Sequence, residues 1–206
     1  MHPGPAGSTP TASAWSAAGP PPVDQAAAER AVVDLLAALG VDPAGDGVRE
    51  TPRRVAAAFA ELLTPKPFVA TTFPNEEGYD GLVVAREIPF QSLCMHHLLP
   101  FHGVAHVAYL PGARIVGLSK LARVVDWFAR GLQTQERLTA QVAGWIEQEL
   151  DPRGVGVVLQ AEHLCMTVRG ARARGSSTAT ADLRGALRDD PELRAEFRAQ
   201  TGGALR

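Results

Sequence analysis

Both cysteines of this 206-residue chain sit beside histidines, Cys94 in Ser92-Leu93-Cys94-Met95-His96-His97 and Cys165 in Glu162-His163-Leu164-Cys165. Thiolate and imidazole are the ligands zinc prefers, and a catalytic zinc takes three protein ligands while keeping a fourth position for water. Two Cys and one His would fill such a site. Cys94 and His97 are separated by two residues, so one tight turn can aim both side chains at a single point. Cys165 would complete the set from a distant segment. The plainer reading is two small buried hydrophobes and a loop histidine pair. Two Cys-His clusters that hold every cysteine favour the metal.

Three ligands leave His96 and His163 unassigned, and neutral histidines beside a metal-held water are natural proton carriers at physiological pH. A hydrogen-bonded core histidine is the alternative for His163. His102 and His106 fall on a neighbouring strand, where a supporting or structural role fits better than ligation. Ser119, Lys120 and Arg123 cluster at a helix start, where free N–H groups, the helix dipole and two cations can converge on phosphate, with Arg169 adding a further charge. Taken alone they equally describe solvated surface. Gln135-Glu136-Arg137 offers a carboxylate able to accept from two adjacent N–H groups, as on a guanine edge, or again a solvated helix face. A Walker phosphate loop, a dinucleotide fingerprint, a nucleophile elbow and the Cys-x-x-Cys deaminase signature are all missing.

These residues need elements to position them. Residues 1–23 are Pro, Gly, Ala, Ser and Thr with few large apolar side chains, which predicts a disordered tail. Residues 24–206 read as one domain. Within it, 24–66 carries N-terminal helices: one from Asp24 with Ala28, Val32, Leu35, Leu36 and Leu39 on a stripe, and one with Thr51 as cap and Pro52 in its first turn. Residues 80–186 form the core. Leu82–Ile88 and Gly103–Leu110 read as strands with the first Cys-His cluster between them. Ser119 reads as the cap of one helix, and a second runs from about Gln133 to Leu150. From Val155 a period of two places Val155, Val157, Leu159, Ala161, His163, Cys165, Thr167 and Arg169 on one strand face. A last strand over Ser176–Leu183 precedes a C-terminal helix opened by Asp190-Pro191 within 187–206. The sum is an α+β fold, an antiparallel sheet with its helices on one side.

Hydrophobic residues make up 46% of the chain and the net charge is −2, which allows a sizeable core and gives no general attraction to nucleic acid or an anionic membrane. No apolar stretch is long enough to span a bilayer. No Lys or Arg precedes Arg30, unlike a secretory or transit leader, and two widely separated cysteines are too few for a disulfide scaffold. A reducing cytoplasm is the expected compartment.

Thr51-Pro52-Arg53-Arg54-Val55, Cys94-Met95-His96-His97, Gly117-Leu118-Ser119-Lys120, Gln133-Thr134-Gln135-Glu136-Arg137-Leu138 and His163-Leu164-Cys165-Met166-Thr167-Val168-Arg169-Gly170 together resemble the GTP cyclohydrolase I family, over roughly Asp42 to Phe197. The resemblance implies a tunnelling fold whose sheets close into a barrel in a homodecamer of two pentamers, with active sites at subunit interfaces. It implies zinc held by Cys94, His97 and Cys165, catalysis by His96, His163 and Ser119, guanine held by Gln135 and Glu136, and ribose and triphosphate facing Ser119, Lys120, Arg123 and Arg169. The implied reaction opens GTP at C8, releases formate and yields 7,8-dihydroneopterin triphosphate for folate or deazapurine synthesis, with no organic cofactor. Alternatives are a relative that stops at the ring-opened formamide or uses another purine nucleotide, and a zinc-stabilised pterin-binding scaffold without catalysis. Met95, Val104 and Ala57 depart from the family pattern of Glu, Lys and Lys or Arg. The first two suggest an ion pair replaced by an apolar contact.

Overall fold

The computed structural model describes residues 22–202, so residues 1–21 of the expected tail lie outside the described part. Helices α1 (Gln25–Ala38) and α2 (Thr51–Leu63) come first, followed by strands β1 (Thr72–Pro74), β2 (Val83–Cys94), β3 (Pro100–Leu110) and β4 (Arg114–Val116). Then come α3 (Leu118–Ala129), β5 (Leu132–Gln133), α4 (Gln135–Leu150), β6 (Gly154–His163), α5 (Leu164–Thr167), β7 (Thr178–Gly185), α6 (Ala186–Asp189) and α7 (Pro191–Gln200). Five strands form one sheet in the order β5-β2-β3-β6-β7, and β1 pairs with β4 in a separate ribbon. All pairings are antiparallel except the two-residue β5, which runs parallel to the end of β2. The chain is therefore α+β.

The main core lies between one face of the sheet and the long helices α3 and α4. From β3 it takes Phe101, Ala105, Val107 and Tyr109, and from β6 Val155, Val157, Leu159 and Ala161, every second residue as a pleated strand requires. Leu121, Val124, Val125 and Phe128 of α3 and Leu138, Val142 and Ile146 of α4 close it from above. Strand β2 changes phase part way along. Val83 and Ala85 face this core near its start, and Ile88, Phe90 and Cys94 face it further on. The register shifts between Ala85, opposite Val107, and Ile88, opposite Ala105, so Arg86 and Glu87 share His106 as partner, with Glu87 at φ +54°. This β-bulge switches the inward set from odd to even numbers and turns Cys94 toward the core.

Not every helix lies on that side. The two long helices share one side as expected, but Leu187 of α6 and Phe197 of α7 pack with Leu82, Ala108, Leu110 and Val158 on the opposite face, so helices cover both sides of the sheet. Asp190 caps α7, accepting from the N–H groups of Glu192 and Leu193, and Asp24 caps α1 by accepting from Ala27. Two expected caps are instead inside their helices. Glu50 precedes α2, placing Thr51 in its first turn, and Gly117 precedes α3, placing Ser119 likewise. The helix expected from Gln133 starts at Gln135, with Thr134 as its cap. The ladder also separates Met95 from Val104: Val104 pairs with Pro89, six positions short of Met95, or about 20 Å along the strand. An apolar contact between those two side chains within one chain is excluded.

Where β3 crosses β6, Gly103 leaves no room for a side chain, since a Cβ there would lie 1.9 Å from the Gln160 carbonyl oxygen and 2.7 Å from Ala161 Cα. Both are backbone atoms and cannot swing aside. Gly103→Ala is expected to destabilise the fold by about 3 kcal/mol or more in urea unfolding. A loss under about 1 kcal/mol would show that the strands separate without cost.

His106, only 6% exposed, has no hydrogen-bond partner at Nδ1. Burial lowers its pKa from 6.5, against the pull of Glu87 and with the push of Arg86. Above pH 6.5 the folded and unfolded chains both hold it neutral; below that the unfolded chain protonates first, so stability is lost as pH falls through the depressed folded value. Burial gives His163 the same sign. His106→Leu should therefore unfold with a flatter acid-side decline than the parent, and equal slopes in both proteins would refute the assignment.

Candidate metal centre

The first ligand-bearing turn is fixed by backbone hydrogen bonds. Cys94 ends β2 and its carbonyl accepts from the N–H groups of His97 at 3.3 Å and Leu98 at 2.9 Å, with Leu98 at φ +54° completing the reversal. Its own N–H donates to the Leu99 carbonyl at 2.9 Å, and the next N–H, of Met95, donates to the Gln133 carbonyl at 3.0 Å. Gln133 is in turn locked from all sides. Its amide nitrogen donates to the Phe128 carbonyl at 2.7 Å and to Gln141 at 2.8 Å, and its oxygen accepts from Arg137 at 2.7 Å.

Cys165 arrives by a route the alternation does not foretell. Strand β6 ends at His163, and Leu164–Thr167 form one helical turn, so Cys165, Thr167 and Arg169 do not continue the strand face. A helical turn still carries the thiol to the cluster. The sulfurs of Cys94 and Cys165 and a ring nitrogen of His97 lie within 4.8 Å of one another. His96 and His97 each place Nδ1 3.8 Å from the Cys94 sulfur, yet that three-residue group takes in His97 and leaves out His96.

This donor set suits zinc: two thiols and an imidazole, borderline-soft, three in number, on a partly open surface. Cys94 is buried and Cys165 half-buried. Burial, and then the adjacent Cys94, push the Cys165 thiol up, while the Arg169 guanidinium pulls it down. His163 stacks on Phe101, its partner across the β3–β6 ladder, with ring centres 4.6 Å apart and planes 2° from parallel. Its Nε2 lies 2.7 Å from Gln135 Oε1, and burial lowers its pKa while the nearby Glu136 carboxylate acts the other way.

Gln135 is buried and Glu136 exposed at the start of α4. Ser119, Lys120 and Arg123 stand on the first turns of α3. Arg123 lines a cleft of ≈ 320 Å³ with Lys66, Pro67, Phe68 and Asp126, none of which belongs to the Cys-His cluster. Phe68 also packs on Trp127 and Trp145, which anchors that wall. Lys66 and Phe101 are neighbours of the expected site residues that the motifs do not flag. Phe101 is recoverable from strand register, but the Pro65-Lys66-Pro67 segment carries no comparable signal. His102 is exposed and His106 buried on the sheet face away from α3 and α4.

An antiparallel sheet roofed by two helices, with a Cys-His-Cys cluster at one end whose donor atoms could hold a metal ion, defines a mixed α+β protein. The family model for GTP cyclohydrolase I matches residues 28–202. GTP cyclohydrolase 1 of Mycolicibacterium vanbaalenii is 51% identical over 180 residues, covering 84% of this chain and 88% of that protein. GTP cyclohydrolase 1 of Thermobifida fusca is 50% identical over 182 residues, covering 86% and 88%. The enzyme of that name from Brucella abortus is 49% identical over 178 residues, covering 84% of each. The chain belongs to the GTP cyclohydrolase I family and is an enzyme of that kind. A solved archaeosine synthase QueF-Like structure aligns with 52% of this chain and 96% of its own at 16% identity and a TM-score of 0.42, too slight a likeness to bear on the fold.

A thiol kept protonated by burial must lose its proton on ligation, so zinc uptake is expected to release protons and to weaken as pH falls. Cys165→Ala should bind zinc more weakly by well over ~10²-fold in chelator competition while remaining folded by circular dichroism. Zinc affinity equal to the parent would place the site elsewhere.

Proposed function

We propose that this enzyme hydrolyses GTP at C8 with release of formate and closes the rearranged product to 7,8-dihydroneopterin triphosphate, the first step of pterin or deazapurine synthesis. The observation that carries the reading is the convergence of Cys94, His97 and Cys165, in a chain whose family is GTP cyclohydrolase I. Those three residues would hold zinc, which when bound supplies Lewis acidity and makes hydroxide available near neutral pH.

The chain's own groups do the rest. His163, held neutral by burial, and His96, beside the Cys94 sulfur, move protons to the departing ring nitrogens. Glu136 accepts from the guanine N–H edge through its exposed carboxylate, with Gln135 directly behind it. Ser119, Lys120 and Arg123 face ribose and triphosphate, Arg169 reaches the same anion from the α5 side, and the Lys66–Arg123 cleft gives that charge a wall to lie against. The absence of a counterpart cation at Ala57, exposed on α2, weakens that grip without touching the metal ligands.

Assembly completes the site in this proposal. Copies of the chain pair sheet edges into a tunnelling-fold barrel, as a decamer of two pentamers. Two features support it: β7 ends the sheet with its outer edge, away from β6, unpaired among the described residues, and Met95, Leu98, Leu132, Met166 and Val168 expose apolar surface around the Cys-His cluster. The cationic start of one α3 would then reach a neighbour's metal centre. Two free thiols accord with a cytoplasmic location, and among the described residues no helix is long and apolar enough to cross a membrane. Nucleic acid is not an expected partner at a net charge of −2.

Zinc-loaded protein given GTP should release formate and a product that becomes a fluorescent pterin on oxidation. His163→Ala should lower turnover by roughly 10²- to 10⁴-fold with zinc retained. Accumulation of the ring-opened formamide by the parent would identify a truncated reaction, and a zinc-replete parent with no turnover would identify a scaffold.

A further inference from the structure

We propose that Gln135 is a positioning residue that holds His163 as its Nε2–H tautomer, so that Nδ1 is the nitrogen that exchanges a proton with substrate. This rests on His163 as a proton-transfer group and gives the Gln135 side chain a task other than reading guanine. The argument is an account of donors and acceptors. Gln135 is 2% exposed, and its Nε2 lies 3.1 Å from the Leu159 carbonyl, 2.9 Å from the Thr178 carbonyl and 3.1 Å from Thr180 Oγ1. Carbonyl oxygens only accept, so the amide has one orientation: its NH₂ faces the strands β6 and β7, and Oε1 faces His163 at 2.7 Å. An amide oxygen cannot donate. The ring nitrogen at that contact must therefore carry the hydrogen.

The hydroxyls behind Gln135 close the account. Thr139 gives its single proton to the Gln135 backbone carbonyl at 2.8 Å. In the 2.7 Å contact between Thr139 and Thr180 the donor is then Thr180, whose oxygen is left to accept from the Gln135 amide. The two amide protons are shared among three acceptors, all on the strand side, so Oε1 is left to accept from His163, and reversing that bond would set two acceptors against each other or turn the amide nitrogen away from the strand carbonyls. Phe101 restrains the ring plane by stacking, so a tilt away from Gln135 would also lose that contact. Neutral His163 consequently presents Nδ1 as its lone pair.

The test uses full-length, zinc-loaded enzyme with histidine-selective ¹⁵N labelling, read by magic-angle-spinning NMR at pH 8, and assigns His163 by the signals lost in His163→Asn. The expected spectrum has a protonated Nε2 and a bare Nδ1. Gln135→Met, similar in size but without an acceptor, should lose that signature and lower kcat by roughly 10²-fold, with KM within about threefold of the parent. A parent His163 ring protonated at Nδ1 would overturn the proposal, whatever Gln135→Met does. So would a Gln135→Met enzyme with its kcat unchanged, whether or not KM rises; a raised KM would mark Gln135 as a substrate contact. Full turnover by His163→Ala would remove the proton-transfer reading itself, whereas an Nδ1–H ring in an active parent would remove only the tautomer.

Discussion

A single extra residue in β2 governs where the chemistry can be built. Without the bulge at Arg86 and Glu87, the side chains that follow would keep the odd-numbered phase of Val83 and Ala85, and Cys94 would face away from α3 and α4. With it, Ile88, Phe90 and Cys94 all enter the core that Phe101 and Ala161 also line. The β3–β6 ladder keeps an unbroken register from Leu110 opposite Gly154 to Phe101 opposite His163. One strand phase is thus reset and the other preserved, and their inward faces meet at the same end of the sheet. The Cys94 turn and the stacked histidine are neighbours for that reason.

The two ligand-bearing segments meet the same requirement with different backbone solutions. The Cys94 turn is a strand reversal closed by its own carbonyl and held from outside by β5. The Cys165 turn is a short helix that leaves the sheet immediately after His163. A strand alternates its side chains by half a turn, so a continued β6 could offer His163 and Cys165 only as repeats on one face, about 7 Å apart along the strand. Coiling the chain at Leu164 frees the thiol from that line. His163 can then stay against Phe101 and Gln135 while Cys165 turns to Cys94.

Much of this was legible before any coordinates. The Asp24 start of α1, the Asp190-Pro191 start of α7 and the inward set of β6 rest on local rules of capping and period, and those rules hold here because nothing tertiary opposes them, whereas the apolar stripe expected on α1 is not buried, with Leu35 and Leu39 exposed. The Cys94–His97 spacing was legible for the same reason, since a turn of that length is a local object. The far half of β2 was hidden: the bulge puts Arg86 and Glu87 side by side, which breaks alternation and makes the strand seem to stop at Ile88. Ser119 and Thr51 have good capping side chains, but the helices begin one residue or more before those hydroxyls could serve. The helical turn at Cys165 was invisible because Leu164, Cys165, Met166 and Thr167 suit an extended strand as well as a coil. The burial of Gln135 is not legible in the sequence, which offers guanine contact by resemblance or a solvated helix face, because it is decided by β6 and β7, which no local pattern reports.

Strand β5 shows how the metal turn is joined to both roofing helices. Two residues make too little ladder to persist alone, so its placement depends on side chains. Gln133 supplies them: its amide binds the last turn of α3 through Phe128 and the body of α4 through Gln141 and Arg137, while its carbonyl receives Met95. Ser92 adds a bond to the Ala129 carbonyl at 2.7 Å from the β2 side. Any shift of α3 relative to α4 must therefore break a buried hydrogen bond or carry the Cys94 turn with it. Helix α3, which carries Lys120 and Arg123, and helix α4, which carries Glu136, are in this way mechanically tied to the Cys94 turn.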